Sequence, residues 1–160
     1  MSSITLVTKD NQRIQTDSRI KTISKMLETL EIEEGQDTPV DITASDLNQI
    51  LEFCMAHNWE APEPAAKPLK STDLKVIIPS EWAYTFLKDK SMEEISQFVD
   101  AVDYLDIPCL LSYCLARIAW DFKRLTFEEI QEKFGFKDEI TLDEENALFV
   151  EYPWLHDKFV

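Results

Sequence analysis

Glycine is nearly missing from this chain: its 160 residues include only two, Gly35 and Gly135. Phosphate-cradling loops and dinucleotide fingerprints are built from clustered glycines, so neither can be assembled here. Histidine is as scarce, with only His57 and His156, and no zinc-binding spacing involves them. The acids never fall into the D-x-D-x-D-G order of a calcium loop. Bases are outnumbered: sixteen Lys and Arg face thirty-one Asp and Glu, a net charge of −15. Such a surface repels nucleic-acid phosphates and anionic membranes, and no basic stripe with interleaved aromatics reverses the sign locally. No apolar run approaches the length of a membrane span. The start, Met1-Ser2-Ser3-Ile4, lacks the layout of a secretory leader. These absences predict an intracellular protein, with cytoplasm and nucleus both open to it, that has no cofactor and no metal and binds neither nucleic acid nor membrane.

Catalytic constellations are equally thin. The three cysteines, Cys54, Cys109 and Cys114, form no C-x-x-C pair and sit among apolar residues at helical spacing. They read as buried small hydrophobes. Paired acids such as Glu33-Glu34 and Glu144-Glu145 read as solvated faces. A serine or cysteine nucleophile would need a base brought from elsewhere in the fold. The expectation is a protein that is not an enzyme.

What the chain does hold is an ordinary apolar fraction, 44%, and a concentration of rings near its end. Seven aromatics lie in residues 127–160: Phe127, Phe134, Phe136, Phe149, Tyr152, Trp154 and Phe159. Two short helices and a tail cannot bury that many rings among themselves. A surplus of this kind marks a surface that another protein covers.

The patterning predicts a small N-terminal sheet, a helical cluster and a helical appendage. Residues 4–8 and 13–16 read as a β-hairpin around the turn 9–12. Asp17 or Ser18 caps a helix carrying Ile20, Ile23, Met26, Leu27 and Leu30. The acidic stretch Glu31 to Asp37 is a loop, and residues 39–42 form a third strand. Thr43 opens a helix with Leu47, Ile50, Leu51, Cys54 and Met55 on one face. Three prolines, Pro62, Pro64 and Pro68, make residues 59–72 a flexible linker within the domain. Ser80 introduces a helix with Trp82, Phe86 and Leu87. Capping boxes, in which the Ser or Thr oxygen and a Glu three residues on satisfy each other's backbone N–H groups, open helices at Ser91, Thr126 and Thr141. Asp106 reads as the N-cap of a long helix with Pro108 in its first turn. Gly135 falls where a helix end takes a left-handed residue, and Pro153 ends the last helix.

The ordered motifs carry a family resemblance. They are Trp82-Ala83-Tyr84-Thr85-Phe86-Leu87-Lys88, Asp103-Tyr104-Leu105-Asp106-Ile107, Leu125-Thr126-Phe127-Glu128-Glu129-Ile130, Phe134-Gly135-Phe136-Lys137-Asp138 and Trp154. Together they resemble the Skp family (S-phase-kinase-associated protein one), the adaptor of SCF-type ubiquitin ligases, over nearly the whole chain. The resemblance implies an α/β (α+β) fold: a BTB/POZ-like, cullin-binding domain over residues 1–122, with a variable Pro-containing loop at 59–79. A C-terminal helical appendage for F-box binding follows over residues 123–160. It implies a non-catalytic bridge between a cullin and F-box substrate receptors, with a weak homodimer when no F-box protein is bound. The cullin-binding positions are Asp103 and Tyr104. The F-box-binding positions are Leu111, Leu115, Ile118, Phe122, Ile130, Phe134, Phe136 and Trp154. Asp103 stands where the family usually has asparagine, exchanging an amide donor for a carboxylate that only accepts. Leu142 stands where many relatives have proline. A self-associating or elongin-C-like BTB/POZ scaffold that uses no F-box is the rival reading. Elongin-C-like chains stop near the end of that domain, so residues 123–160 weigh against the elongin-C-like version, while the self-associating version stays open.

Overall fold

The computed structural model describes residues 2–32, 35–137 and 140–155. Glu33-Glu34, Asp138, His156 and Phe159 fall outside the described residues. The chain divides into two compact units, Met1–Arg124 and Leu125–Val160. Among the described residues there are three strands and eight helices. This mixed α/β composition agrees with the expected BTB/POZ-like class.

In the first unit, β1 (Ser3–Val7) and β2 (Arg13–Asp17) form the hairpin, pairing antiparallel from Ser3↔Asp17 to Val7↔Arg13. Ile4 and Leu6 alternate inward, as a half-buried strand requires. The third strand differs from expectation. It is β3 (Asp37–Pro39), parallel to β1, so the sheet order is β2-β1-β3. Val40 and Ile42 are buried but lie beyond the paired residues. Their side chains serve the core, while their backbones still bond along the β1 side: the Val40 N–H donates to the Val7 carbonyl at 2.8 Å and the Lys9 N–H to the Ile42 carbonyl at 3.0 Å.

The first predicted helix is also two pieces. Asp17 caps a 3-10 turn, Ser18–Thr22, and Ser24 caps a separate α1 (Lys25–Thr29). Ser24 is fully buried, takes the Leu27 N–H and donates its hydroxyl to the Leu105 carbonyl, joining residues 81 apart in sequence. α2 (Ala44–Ala56) starts at the Thr43 cap as expected, but Met55 is 54% exposed and leaves the predicted buried face. Short α3 (Leu74–Ile77) and α4 (Glu81–Leu87) follow, the latter capped by Ser80.

α5 (Met92–Tyr104) opens with the Ser91–Glu94 capping box and buries Ile95, Phe98, Ala101 and Val102. α6 (Pro108–Arg124) packs against it and buries Leu110, Tyr113 and Cys114. Asp106 does not cap α6. It adopts φ 50° and ends α5: its N–H donates to the Asp103 carbonyl and the Ile107 N–H to Val102. That pair of bonds is the Schellman arrangement, with aspartate in the left-handed place usually held by glycine.

Residues 59–72 are irregular but not a free linker. The Tyr113 hydroxyl donates to the Glu63 carbonyl, the Ala65 N–H donates to Ser112 Oγ at 3.0 Å, and Trp120 Nε1–H donates to the Thr72 carbonyl at 2.7 Å. Burial pushes the Tyr113 pKa up, keeping that hydroxyl a donor. Three side chains of α6 thus strap the proline-containing stretch along its length.

The second unit holds α7 (Phe127–Phe134), α8 (Leu142–Glu151) and a 3-10 turn, Pro153–Leu155. Both helices start at complete capping boxes, and Gly135 ends α7 at φ 66°. The Thr141 backbone N–H and hydroxyl hold the Glu144 carboxyl below the usual range.

Candidate protein-binding surfaces

The described residues contain no cluster of three or more His, Cys, Asp or Glu able to hold a metal, and no helix long and apolar enough to cross a membrane. The thiols of Cys54, Cys109 and Cys114 are free and buried. Desolvation pushes Cys54 and Cys114 up to about 12, so neither is a nucleophile at neutral pH. What the molecule offers instead is uncovered apolar surface, in three places.

Asp103 and Tyr104 sit together on the last turn of α5, held by the Schellman end described above. Asp103 is exposed and Tyr104 is 40% exposed. Beside them the ring of Tyr104 forms one wall of an open groove of about 500 Å³, shared with Ile42, Ala101, Asp41, Asp100 and Lys9. Each element gives the groove one apolar and one acidic residue: Ile42 and Asp41 from the segment after β3, Ala101 and Asp100 from α5.

The second surface is the outer face of α6. Leu111, Leu115, Ile118 and Phe122 recur at helical spacing on one stripe, since a residue every third or fourth position shares a face. Leu111 and Ile118 are half-buried, Leu115 is 44% exposed and Phe122 is 36% exposed. The opposite stripe, with Leu110, Tyr113, Cys114 and Arg117, lies in the core. α6 is therefore apolar on two faces: one lies in the core, and the other, whose Leu111 and Ile118 pack partly against that core, leaves Leu115 44% exposed.

The appendage is the third. None of its described residues is buried. Phe136 is 62% exposed, Trp154 60% and Phe134 37%, while Ile130 is half-buried. Phe134 and Phe136 bring their ring centroids within 6.0 Å, and Tyr152 meets Trp154 edge-on at 6.5 Å. The uncovered surface is broader than the predicted positions, because Phe127, Ile140, Leu142 and Val150 are all more than half exposed. Their signal in the sequence was present as apolar residues in helices too short to bury them. Such a density of exposed apolar side chains on ordered helices marks an interaction surface.

Residues 108–155, spanning α6, α7 and α8, match the family model described as "Skp1 family, dimerisation domain". A protein of Tetrahymena thermophila named "S-phase kinase-associated protein 1 homolog" is 25% identical over 98% of this chain and 95% of its own length. From Arthroderma otae, "E3 ubiquitin ligase complex SCF subunit sconC" is 28% identical over 98% of this chain and 96% of its own. "SKP1-like protein 16" of Arabidopsis thaliana is 22% identical over 96% of this chain and 95% of its own. With a family model on residues 108–155 and similarity over nearly its whole length to proteins of that name, this chain is similar to the Skp1 family.

Proposed function

We propose that this chain is the non-catalytic adaptor of an SCF-type E3 ubiquitin ligase, acting in cytoplasm and nucleus. Its BTB/POZ-like unit holds a cullin through Asp103 and Tyr104. The outer stripe of α6 and the rings of the appendage hold the F-box of a substrate receptor. One observation carries the reading: α7 and α8 are ordered helices with complete N-terminal capping boxes that bury no described side chain and, with the turn that follows them, expose phenylalanine, leucine, valine and tryptophan. Burying such residues against a partner is the main favourable contribution available to them. The relatives named for an SCF subunit supply the class of partner.

The adaptor works by geometry. A receptor's apolar helices are matched by α6 and the appendage, and acids around the apolar surfaces tune association rate and specificity. The test is reconstitution by size-exclusion chromatography of the full chain with an F-box segment and a cullin N-terminal fragment. A three-component peak that forms only when the chain is present supports bridging. A stable homodimer by light scattering that ignores the F-box segment would instead favour the self-associating scaffold.

A further inference from the structure

We infer that the proline-containing segment Glu63–Leu69 is a receptor-contacting wall: with α6 it forms a groove that takes an aliphatic side chain from the residues adjoining a receptor's F-box helices. This rests on the F-box reading of α6 above and extends the contact to a part of the chain outside every predicted binding position.

The groove has a volume of about 300 Å³ and lies wholly within the first unit. Ala65, Ala66, Pro68 and Leu69 form one side; Leu115 and Ala116 form the other. Its space comes from small side chains. Alanine on the segment faces alanine on α6, where larger residues would close the gap. Its walls do not drift apart, because Tyr113 holds the Glu63 carbonyl and Ser112 holds the Ala65 N–H from the α6 side.

The chemistry of the lining selects the occupant. Ser112, the hydroxyl in the groove, already accepts from Ala65 and donates to the Cys109 carbonyl at 2.7 Å. A polar group entering would exchange water for a lining of alanine, proline and leucine side chains whose one hydroxyl is already engaged, at a cost of about 1–3 kcal/mol, whereas a leucine, isoleucine or methionine side chain meets no such cost. Lys67 can keep its ammonium in water while its stem lines the rim.

Continuity identifies where that side chain comes from. Leu115 belongs both to the groove wall and to the stripe Leu111, Leu115, Ile118 and Phe122. A helix lying along the stripe covers Leu115 and brings its neighbouring residues to the groove mouth. The α6 wall also falls within residues 108–155, matched by the family model named for dimerisation.

The test uses the full chain and a recombinant F-box segment with its flanking residues, taken from a receptor that co-purifies with it. Ala66→Trp fills the groove from an exposed position, and Ala66→Ser leaves it open. The expected result is at least tenfold weaker F-box binding for Ala66→Trp and less than a twofold change for Ala66→Ser. Cullin binding and circular dichroism stay unchanged in both. Wild-type affinity in Ala66→Trp, while Phe136→Ala with Trp154→Ala abolishes binding, overturns the groove and leaves the adaptor reading intact. Absence of F-box binding by the wild-type chain overturns both. A change in self-association alone assigns the groove to a second copy and also overturns the inference.

Discussion

Removing Phe136 and Trp154 together tests the receptor surface most directly. These side chains are 62% and 60% exposed. With about 150–250 Å² of surface per large aromatic, roughly 250 Å² of apolar area remains uncovered on the two rings. At about 25 cal/mol per Å² its burial against a partner contributes some 6 kcal/mol. Alanine recovers part of this, so the double variant loses about 4 kcal/mol, close to a thousandfold in Kd. The fold loses little, because surface truncations away from caps and cores change stability by about 0.5 kcal/mol or less. Isothermal titration with an F-box segment measures the first quantity, and urea denaturation of the free protein the second. Receptor affinity within a few fold of wild type would refute the assignment. Global destabilisation by several kcal/mol would refute the claim that these rings serve a partner and not the fold.

Other consequences are open to simpler measurements. Tyr104→Ala is expected to weaken binding of a cullin N-terminal fragment about tenfold or more, as truncated aromatic anchors do, with F-box binding unchanged in the same assay. Ser24→Ala removes the α1 cap and the donor to the Leu105 carbonyl at a fully buried position. A cap is worth about 1 kcal/mol and a stranded buried polar group about 1–3, so denaturation followed by tryptophan fluorescence should show a loss of about 2–4 kcal/mol. Raising Cys54 and Cys114 from 9.0 to about 12 cuts their thiolate fraction about a thousandfold at pH 8. Iodoacetamide at that pH should leave both unmodified in the native protein and label both in denaturant, as read by mass spectrometry.

Features set by short-range chemistry were legible in the residues themselves. Each capping box needs only a hydroxyl and a glutamate three positions on, and Ser91, Thr126 and Thr141 all form one. Gly135 takes the left-handed place that ends α7 because, with no Cβ, it enters that conformation without strain, and that too is local. Asp106 was misread because aspartate suits two incompatible places: a helix N-cap, and a left-handed turn after a helix. Contacts distant in sequence chose between them, among them the Lys25 N–H donating to the Asp106 carbonyl. Val40 and Ile42 resemble a strand because they continue one in part: beyond the three registered pairs of β3, the Val40 N–H bonds the Val7 carbonyl and the Ile42 carbonyl takes the Lys9 N–H. The strapping of residues 59–72 was invisible, because prolines report lost helix and not what Tyr113, Ser112 and Trp120 reach from α6. For the binding surfaces, the sequence showed the excess of rings. Which of Leu142, Val150 and Phe127 stay uncovered depends on how little the appendage buries, and only coordinates reveal that.

The uncovered appendage has a consequence for abundance. On the proposed function, a copy made in excess of its F-box receptors displays Phe127, Leu142 and Val150 to every other protein nearby. The net charge of −15 opposes the resulting stickiness by keeping such orphans apart. Acidity and exposed rings thus form one arrangement: a subunit that can wait unpaired without precipitating, and whose tolerable excess should shrink as salt screens its charge.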